Sequence, residues 1–91
     1  MTDQGNTGAR TIRMFGADWC GDCRRTKAQL TDLDIDFEYL EVDKNEDAQI
    51  RAIEISGVGS IPVVLFPDET FLVEPSHTDM EWKLRELGII T

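Results

Sequence analysis

The sequence predicts an α/β fold, a four-stranded mixed sheet flanked by three helices in the order β-α-β-α-β-β-α. Three observations carry that prediction. Segments with an apolar residue at every second position are interleaved with segments whose apolar residues recur every three or four. Through residue 60 the two periods alternate, as in a βαβ unit with parallel strands. Beyond it, an apolar run, a tight turn and a second short run read as an antiparallel hairpin. Ninety-one residues leave room for one domain.

Residues 1–9 are polar and rich in Gly, Thr and Asn, which predicts a disordered lead-in to a single domain over 10–91. Ile12 and Met14 alternate within a first strand over 11–15, and Phe15 runs into a turn at Gly16. A loop reaches Cys20. From Gly21 the period becomes helical, with Cys23, Lys27, Leu30 and Leu33 on one stripe. A second strand is expected over 34–42. Ile35, Phe37 and Tyr39 share one face, Leu40 and Val42 the other, so both faces should be covered. Asn45 is a candidate N-cap, with Glu46 and Asp47 in the first turn, where the helix dipole favours acids. That helix runs to Ser56 and stops at Gly57 and Gly59. A third strand is expected over 61–66, a turn at Pro67-Asp68-Glu69, and a fourth strand over 70–74. The last helix, over 79–87, places Met80, Leu84 and Leu87 on one stripe and ends at Gly88. Ser76, Thr78 and Asp79 are its candidate caps.

Composition narrows the function classes. The chain is 41% hydrophobic with seven aromatic residues, so its core should be small and mostly aliphatic. Its net charge is −9, unevenly placed. Residues 1–30 hold five basic and three acidic side chains, whereas the remainder holds four basic and fifteen acidic. An acidic bulk argues against nucleic acid as a partner. The first residues lack the apolar run of a signal peptide. The longest apolar stretch, Ile61 to Phe66, is far short of a membrane span. No membrane association and a cytoplasmic location are therefore expected, where a cysteine pair is catalytic or metal-binding.

Two cysteines are too few for a disulfide framework. Zinc needs four ligands, and the chain offers Cys20, Cys23 and His77, so no metal site within the chain is expected. A cluster shared between two chains and completed by external thiols remains as the metal alternative.

The chemistry centres on Trp19-Cys20-Gly21-Asp22-Cys23, placed where a strand ends and a helix begins. Free N–H groups and the positive end of the dipole lie there, and both favour a thiolate at Cys20. Cys23 falls one turn later on the same face, within reach of the Cys20 sulfur. This spacing suits an attacking thiolate at Cys20 and a more buried resolving thiol at Cys23. Arg24, Arg25 and Lys27 bring positive charge that would tune the thiolate, while Asp22 and Asp18 oppose it. Trp19 either shields the Cys20 sulfur and offers an apolar surface to a partner, or belongs to the core. Pro62 opens a strand, where a missing N–H costs little. Taken alone, Ile61-Pro62 reads as an ordinary trans strand start. His77 is the lone histidine, most simply an exposed residue at a helix entrance. Exposed N–H groups across Ser76, His77, Thr78 and Asp79 offer a place for the carboxylate of a small thiol. The acidic run Asp32, Asp34, Asp36 and Glu38 is most simply a solvated face.

On the Trp19-to-Cys23 motif, Ser60-Ile61-Pro62-Val63 and Glu74-Pro75-Ser76, the chain resembles the glutaredoxin family of the thioredoxin fold over residues 11–88. It looks closest to the actinobacterial glutaredoxin-like proteins called mycoredoxins. The resemblance implies a cis Ile61–Pro62 bond facing the cysteines, with Ile61 and Pro62 beside Cys20 and bound to substrate backbone. It implies a groove for a low-molecular-weight thiol between that loop and Ser76 to Asp79. Typical members have Pro-Tyr where this chain has Gly21-Asp22, and Gly-Gly where it has Pro75-Ser76. Those departures point to mycothiol rather than glutathione as co-substrate, with no bound cofactor.

The expected function is a monomeric thiol–disulfide oxidoreductase that reduces mixed disulfides between proteins and a small thiol. Trp19, Gly21, Asp22, Ile61 and Pro62 would shape the groove. One alternative is a thioredoxin-like reductase of protein disulfides fed by thioredoxin reductase, for example a donor to ribonucleotide reductase. Another is a non-catalytic iron–sulfur or partner-binding module.

Overall fold

The computed structural model describes residues 11–90, so the lead-in expected at 1–9 lies outside the described residues. The elements are β1 (Ile12–Gly16), α1 (Gly21–Asp32), β2 (Phe37–Glu41), α2 (Glu46–Ser56), β3 (Val63–Leu65), β4 (Phe71–Val73) and α3 (His77–Glu86). They form a four-stranded sheet in the order β2-β1-β3-β4. β1 runs parallel to β2, with Met14 opposite Tyr39 and Gly16 opposite Glu41. β3 is antiparallel to β1, and β4 antiparallel to β3. This is the mixed sheet with three helices that the periodicity predicts.

Strand alternation divides the core between the two faces of the sheet. On one face Ile12, Met14 and Val64 pack with Cys23 and Leu30 of α1 and with Met80 and Leu84 of α3. On the other, Phe15 and Val63 pack with Ala48 and Ala52 of α2. The helix that carries the cysteine pair and the last helix therefore share a face, and α2 covers the opposite one.

Several boundaries differ from the sequence expectation, each for a local reason. The strands are shorter. Asp34 adopts φ 60°, which bends the chain before β2 can begin. β2 is an edge strand, and its residues are half-buried or exposed rather than covered on both faces. The cis Ile61–Pro62 bond delays β3 to Val63. The last helix starts at His77, two residues before the expected 79, because Ser76 and Asp79 close a full capping box. In α1 the buried set is Cys23, Thr26, Gln29 and Leu30, whereas Leu33 is the exposed C-cap. Thr26 and Gln29 escape a reading based on apolar spacing because they are polar. Asn45 caps α2 as expected, its Oδ1 accepting from Ala48 N–H at 3.1 Å. Gly57, at φ 78°, ends that helix alone, since Gly59 is not in the left-handed region.

Candidate active site

β1 ends at Gly16, and a short loop delivers Cys20 to the head of α1. Cys20 is the N-cap of that helix: its φ and ψ are extended, and its sulfur accepts the Cys23 backbone N–H at 3.3 Å. A hydrogen-bond donor and the positive end of the dipole converge on this sulfur, and both favour negative charge there. Cys20 is partly exposed, while Cys23 is fully buried in the core on the α1 and α3 face. Burial, followed by a hydrogen bond to Cys20, pushes the Cys23 thiol from its ordinary 9.0 up to about 12. One sulfur is thus accessible and accepts a backbone N–H. The other is sealed and held neutral.

Gly16 makes this packing possible. A Cβ at that position would lie 2.8 Å from Cys23 Sγ and 3.2 Å from Cys23 Cβ. Only a glycine lets the second sulfur lie against the end of β1. The same Cβ would stand 3.4 Å from Tyr39 Cε1, so the tyrosine ring borders the same space. The Tyr39 hydroxyl donates to Asp18 Oδ1 at 3.1 Å, and burial with that bond raises its pKa. Sequence reading missed Gly16 and Tyr39. The glycine looked like a turn residue, and the tyrosine an ordinary strand position.

The three cations expected to tune the thiolate are each engaged by an acidic or carbonyl group nearby. Arg24 Nη1 donates to the Asp18 carbonyl at 2.8 Å. Arg25 pairs with Asp22 at 2.8 Å. Lys27 lies 3.9 Å from Asp18 Oδ1 and 4.0 Å from the centre of the Tyr39 ring. Asp18 and Asp22 are therefore counterbalanced in place by Lys27 and Arg25, while Arg24, bound to a neutral carbonyl, keeps its positive charge.

Trp19 is 69% exposed and does not join the core. Its Nε1 donates to Asp43 Oδ2 at 3.2 Å. Trp19 and Ile61 line one apolar groove of about 220 Å³ together with Asp43, Ile53, Val58 and Ser60. Ile61 and Cys20 both pack at the margin of the core cluster that holds Cys23. Pro62 is fully buried, and its carbonyl accepts from Glu74 N–H at 2.9 Å. Gly21 opens α1 in an exposed position.

The Ser76-to-Asp79 segment lies at the head of α3. Ser76 Oγ accepts from Asp79 N–H at 3.0 Å, and Asp79 Oδ2 accepts from Ser76 N–H at 3.4 Å. The capping box occupies those two N–H groups and leaves the ones on His77 and Thr78. His77 lines a separate cavity of about 120 Å³ with Gln29 and Glu81, not the Trp19 groove. Among the described residues, no group of three or more His, Cys, Asp or Glu side chains is arranged to hold a metal ion. No helix among them is long and apolar enough to cross a membrane.

A partly exposed cysteine capping a helix, with a buried partner one turn on, defines a thiol–disulfide oxidoreductase on a thioredoxin-like fold. The glutaredoxin family model matches residues 12–71, well over half of the sequence, and the chain belongs to the glutaredoxin family. Among solved structures it is similar to a glutaredoxin of Archaeoglobus fulgidus, with 24% identity over 93% of this chain and 97% of that one, at a TM-score of 0.75. A glutaredoxin of Methanosarcina mazei Go1 is 28% identical over 84% of this chain and 79% of that one, at a TM-score of 0.72. The holo form of glutaredoxin C1 from Populus tremula x tremuloides is 22% identical over 86% of this chain and 79% of that one, at a TM-score of 0.63. Among curated proteins, none matches the chain.

Proposed function

We propose that this glutaredoxin reduces mixed disulfides between proteins and a small thiol, with Cys20 attacking and Cys23 resolving, and that its thiol is mycothiol. The observation that carries the assignment of the two sulfurs is their asymmetry. Cys20 is partly exposed and accepts an N–H, whereas Cys23 is buried with its thiol pushed up to about 12. Cys20 forms a bond to one sulfur of the substrate disulfide, and the other leaves as a thiolate. Cys23 then attacks Cys20 and releases the second thiol, or a free small thiol does so in its place.

The preference for mycothiol rests on charge. Asp18 and Asp22 flank Cys20, Asp43 sits on the Trp19 groove, and Asp79 occupies the head of α3. Of the cations near Cys20, Arg25 and Lys27 are paired with the Asp22 and Asp18 carboxylates, and Arg24 is held by the Asp18 carbonyl. Glutathione carries two carboxylates, which this surface disfavours. Mycothiol is a sugar-linked, acylated cysteine with none. The groove lined by Trp19 and Ile61 receives the substrate, with Gly21 and Asp22 acting from the head of α1 and the buried Pro62 holding Ile61 in place. Ser76, His77, Thr78 and Asp79 border the small thiol by hydrogen bonding rather than by capturing a carboxylate. The protein acts as a monomeric single domain in the cytoplasm on disulfide-bearing proteins.

The test is turnover of a protein mixed disulfide with mycothiol, glutathione, or thioredoxin reductase plus NADPH as sole electron source. Turnover with mycothiol and loss of it in Cys20→Ser support the proposal. Turnover with the reductase alone moves the protein to the thioredoxin-like donors, and full activity in Cys20→Ser refutes the assigned chemistry.

A further inference from the structure

The sheet face beneath α2 is covered along one cross-strand row and open along the next. Phe15, Val63 and Val73 stand in register on β1, β3 and β4, and α2 packs Ala48 and Ala52 against this part of the sheet. On the same face, the neighbouring row takes one residue from each strand: Glu38, Arg13, Leu65 and Phe71. Arg51 and Ile55, one turn apart on α2, overhang this second row. Between the helix and the row runs a groove of about 360 Å³, lined by Arg13, Arg51, Ile55, Leu65, Glu69 and Phe71 among others. Small-molecule sites span roughly 300–1,000 Å³. The groove is remote from the cysteines. Arg13 lies near the start of β1 whereas Cys20 follows its end, and Cys23 packs on the opposite face of the sheet.

We propose that this groove is a second ligand site, specific for a single carboxylate carried on an apolar body, with Arg13 and Arg51 holding the carboxylate. An arginine on the inner face of β1, in alternation with Phe15, is unusual enough to need a partner. Glu38 supplies only part of one, with its Oε1 3.2 Å from Arg13 Nε. Both side chains are about half exposed, at 42% and 52%, so this pair adds little to stability. The two terminal nitrogens of Arg13 have no partner among the described residues. Arg51 Nη1 is 3.8 Å from Glu54 Oε1, beyond hydrogen-bond length. The other described arginines spend a terminal nitrogen at close range: Arg24 on the Asp18 carbonyl at 2.8 Å, Arg25 on Asp22 at 2.8 Å and Arg85 on Glu81 at 2.9 Å. The two guanidinium groups with donors to spare therefore wall the same groove, and a planar donor fork matches a carboxylate.

The rest of the groove selects the body of the ligand and limits its charge. Ile55, Leu65 and the 40% exposed ring of Phe71 offer an apolar bed beside the cations. Glu69 lines the same groove, and Glu38 and Glu54 stand beside the arginines. Arg13 and Arg51 also wall the adjoining groove toward β2, where Asp47 lies. With carboxylates on these sides and a net charge of −9, a second negative charge on the ligand is repelled. One carboxylate is accommodated between the two arginines, and its hydrocarbon or aromatic body lies toward Phe71. The site makes no use of either cysteine, so it stands or falls apart from the redox chemistry.

Titration of the full-length, ¹⁵N-labelled protein at low ionic strength tests the site, with 3-phenylpropionate, acetate and inorganic phosphate as probes. For 3-phenylpropionate, saturable shifts should centre on Arg13, Arg51, Leu65 and Phe71, including the two arginine Nε–H signals. The Trp19 indole N–H and Cys20 should stay in place. Arg51→Gln, a change at an exposed helix position, should weaken binding about tenfold by removing one charged donor. Arg51→Lys should recover only part of the loss, because it restores the charge without the fork. Added NaCl should weaken binding to the parent protein. Absence of saturable shifts overturns the site, as do shifts centred on Trp19 and Ile61 or an affinity unchanged in Arg51→Gln. Acetate binding as tightly as 3-phenylpropionate would leave the apolar bed without a role, and phosphate binding as tightly would remove the selection for one charge. Either result overturns the assigned ligand class.

Discussion

Gln29, buried on α1, donates from Nε2 to the carbonyl oxygen of His77 at 2.9 Å. This bond ties the helix that carries both cysteines to the first turn of α3. A buried amide without a partner is costly, so the contact fixes how the two helix heads sit relative to one another. Gln29→Leu keeps the volume and removes the donor. It should cost about 1 kcal/mol. For a domain of this size that lowers the thermal midpoint by about 4–8 °C. An unchanged midpoint would show that the bond contributes nothing.

Gly16→Ala should be more damaging. Its methyl group would stand 2.8 Å from a buried sulfur with no room to retreat. Overpacking of this kind costs about 1–3 kcal/mol. Urea denaturation of the reduced protein measures it. The loss should shrink in Gly16→Ala/Cys23→Ala, where the obstructing sulfur is gone.

Stability should fall at alkaline pH. The Cys23 thiol ionises at about 12 in the native state against an ordinary 9.0. Between those values the unfolded chain has released a proton that the folded chain still holds. Stability present below pH 9 is therefore lost as pH rises toward 12. Tyr39, raised above its ordinary 10.0, acts with the same sign at higher pH. Urea midpoints measured across this range should decline more steeply in the parent protein than in Cys23→Ala. Parallel curves would contradict the burial argument.

At the head of α3, capping and thiol binding can be separated. Ser76→Ala removes an acceptor for Asp79 N–H and should cost about 1 kcal/mol. Ser76→Asp restores a capping oxygen and adds a negative charge. It should retain stability to within about 0.5 kcal/mol and raise KM for glutathione more than for mycothiol. Equal effects on both thiols would remove the charge argument for mycothiol.

The architecture was legible because it depends on period. Ile12, Met14 and Phe15, and then Val63 and Val64, announce two buried strand faces whatever their neighbours do. The cysteine pair was legible because two sulfurs three residues apart at a strand-to-helix turn have few other uses. What stayed hidden depends on contacts between distant segments. Gln29 and Thr26 look like surface residues until α3 and the sheet cover them. Asp18 and Tyr39 are 21 residues apart and meet only because β2 pairs with β1. The cations around Cys20 read as free charge in the sequence, and folding sets Arg25 and Lys27 beside carboxylates.

The Cys20 sulfur serves the backbone whatever else it does, since it accepts the N–H that a helix start must place somewhere. A serine hydroxyl does that job at least as well. Nothing in the architecture therefore asks for sulfur at position 20, and a chain selected for folding alone would have no reason to keep a thiol there. On the proposed chemistry, the demand for that atom comes from outside the molecule.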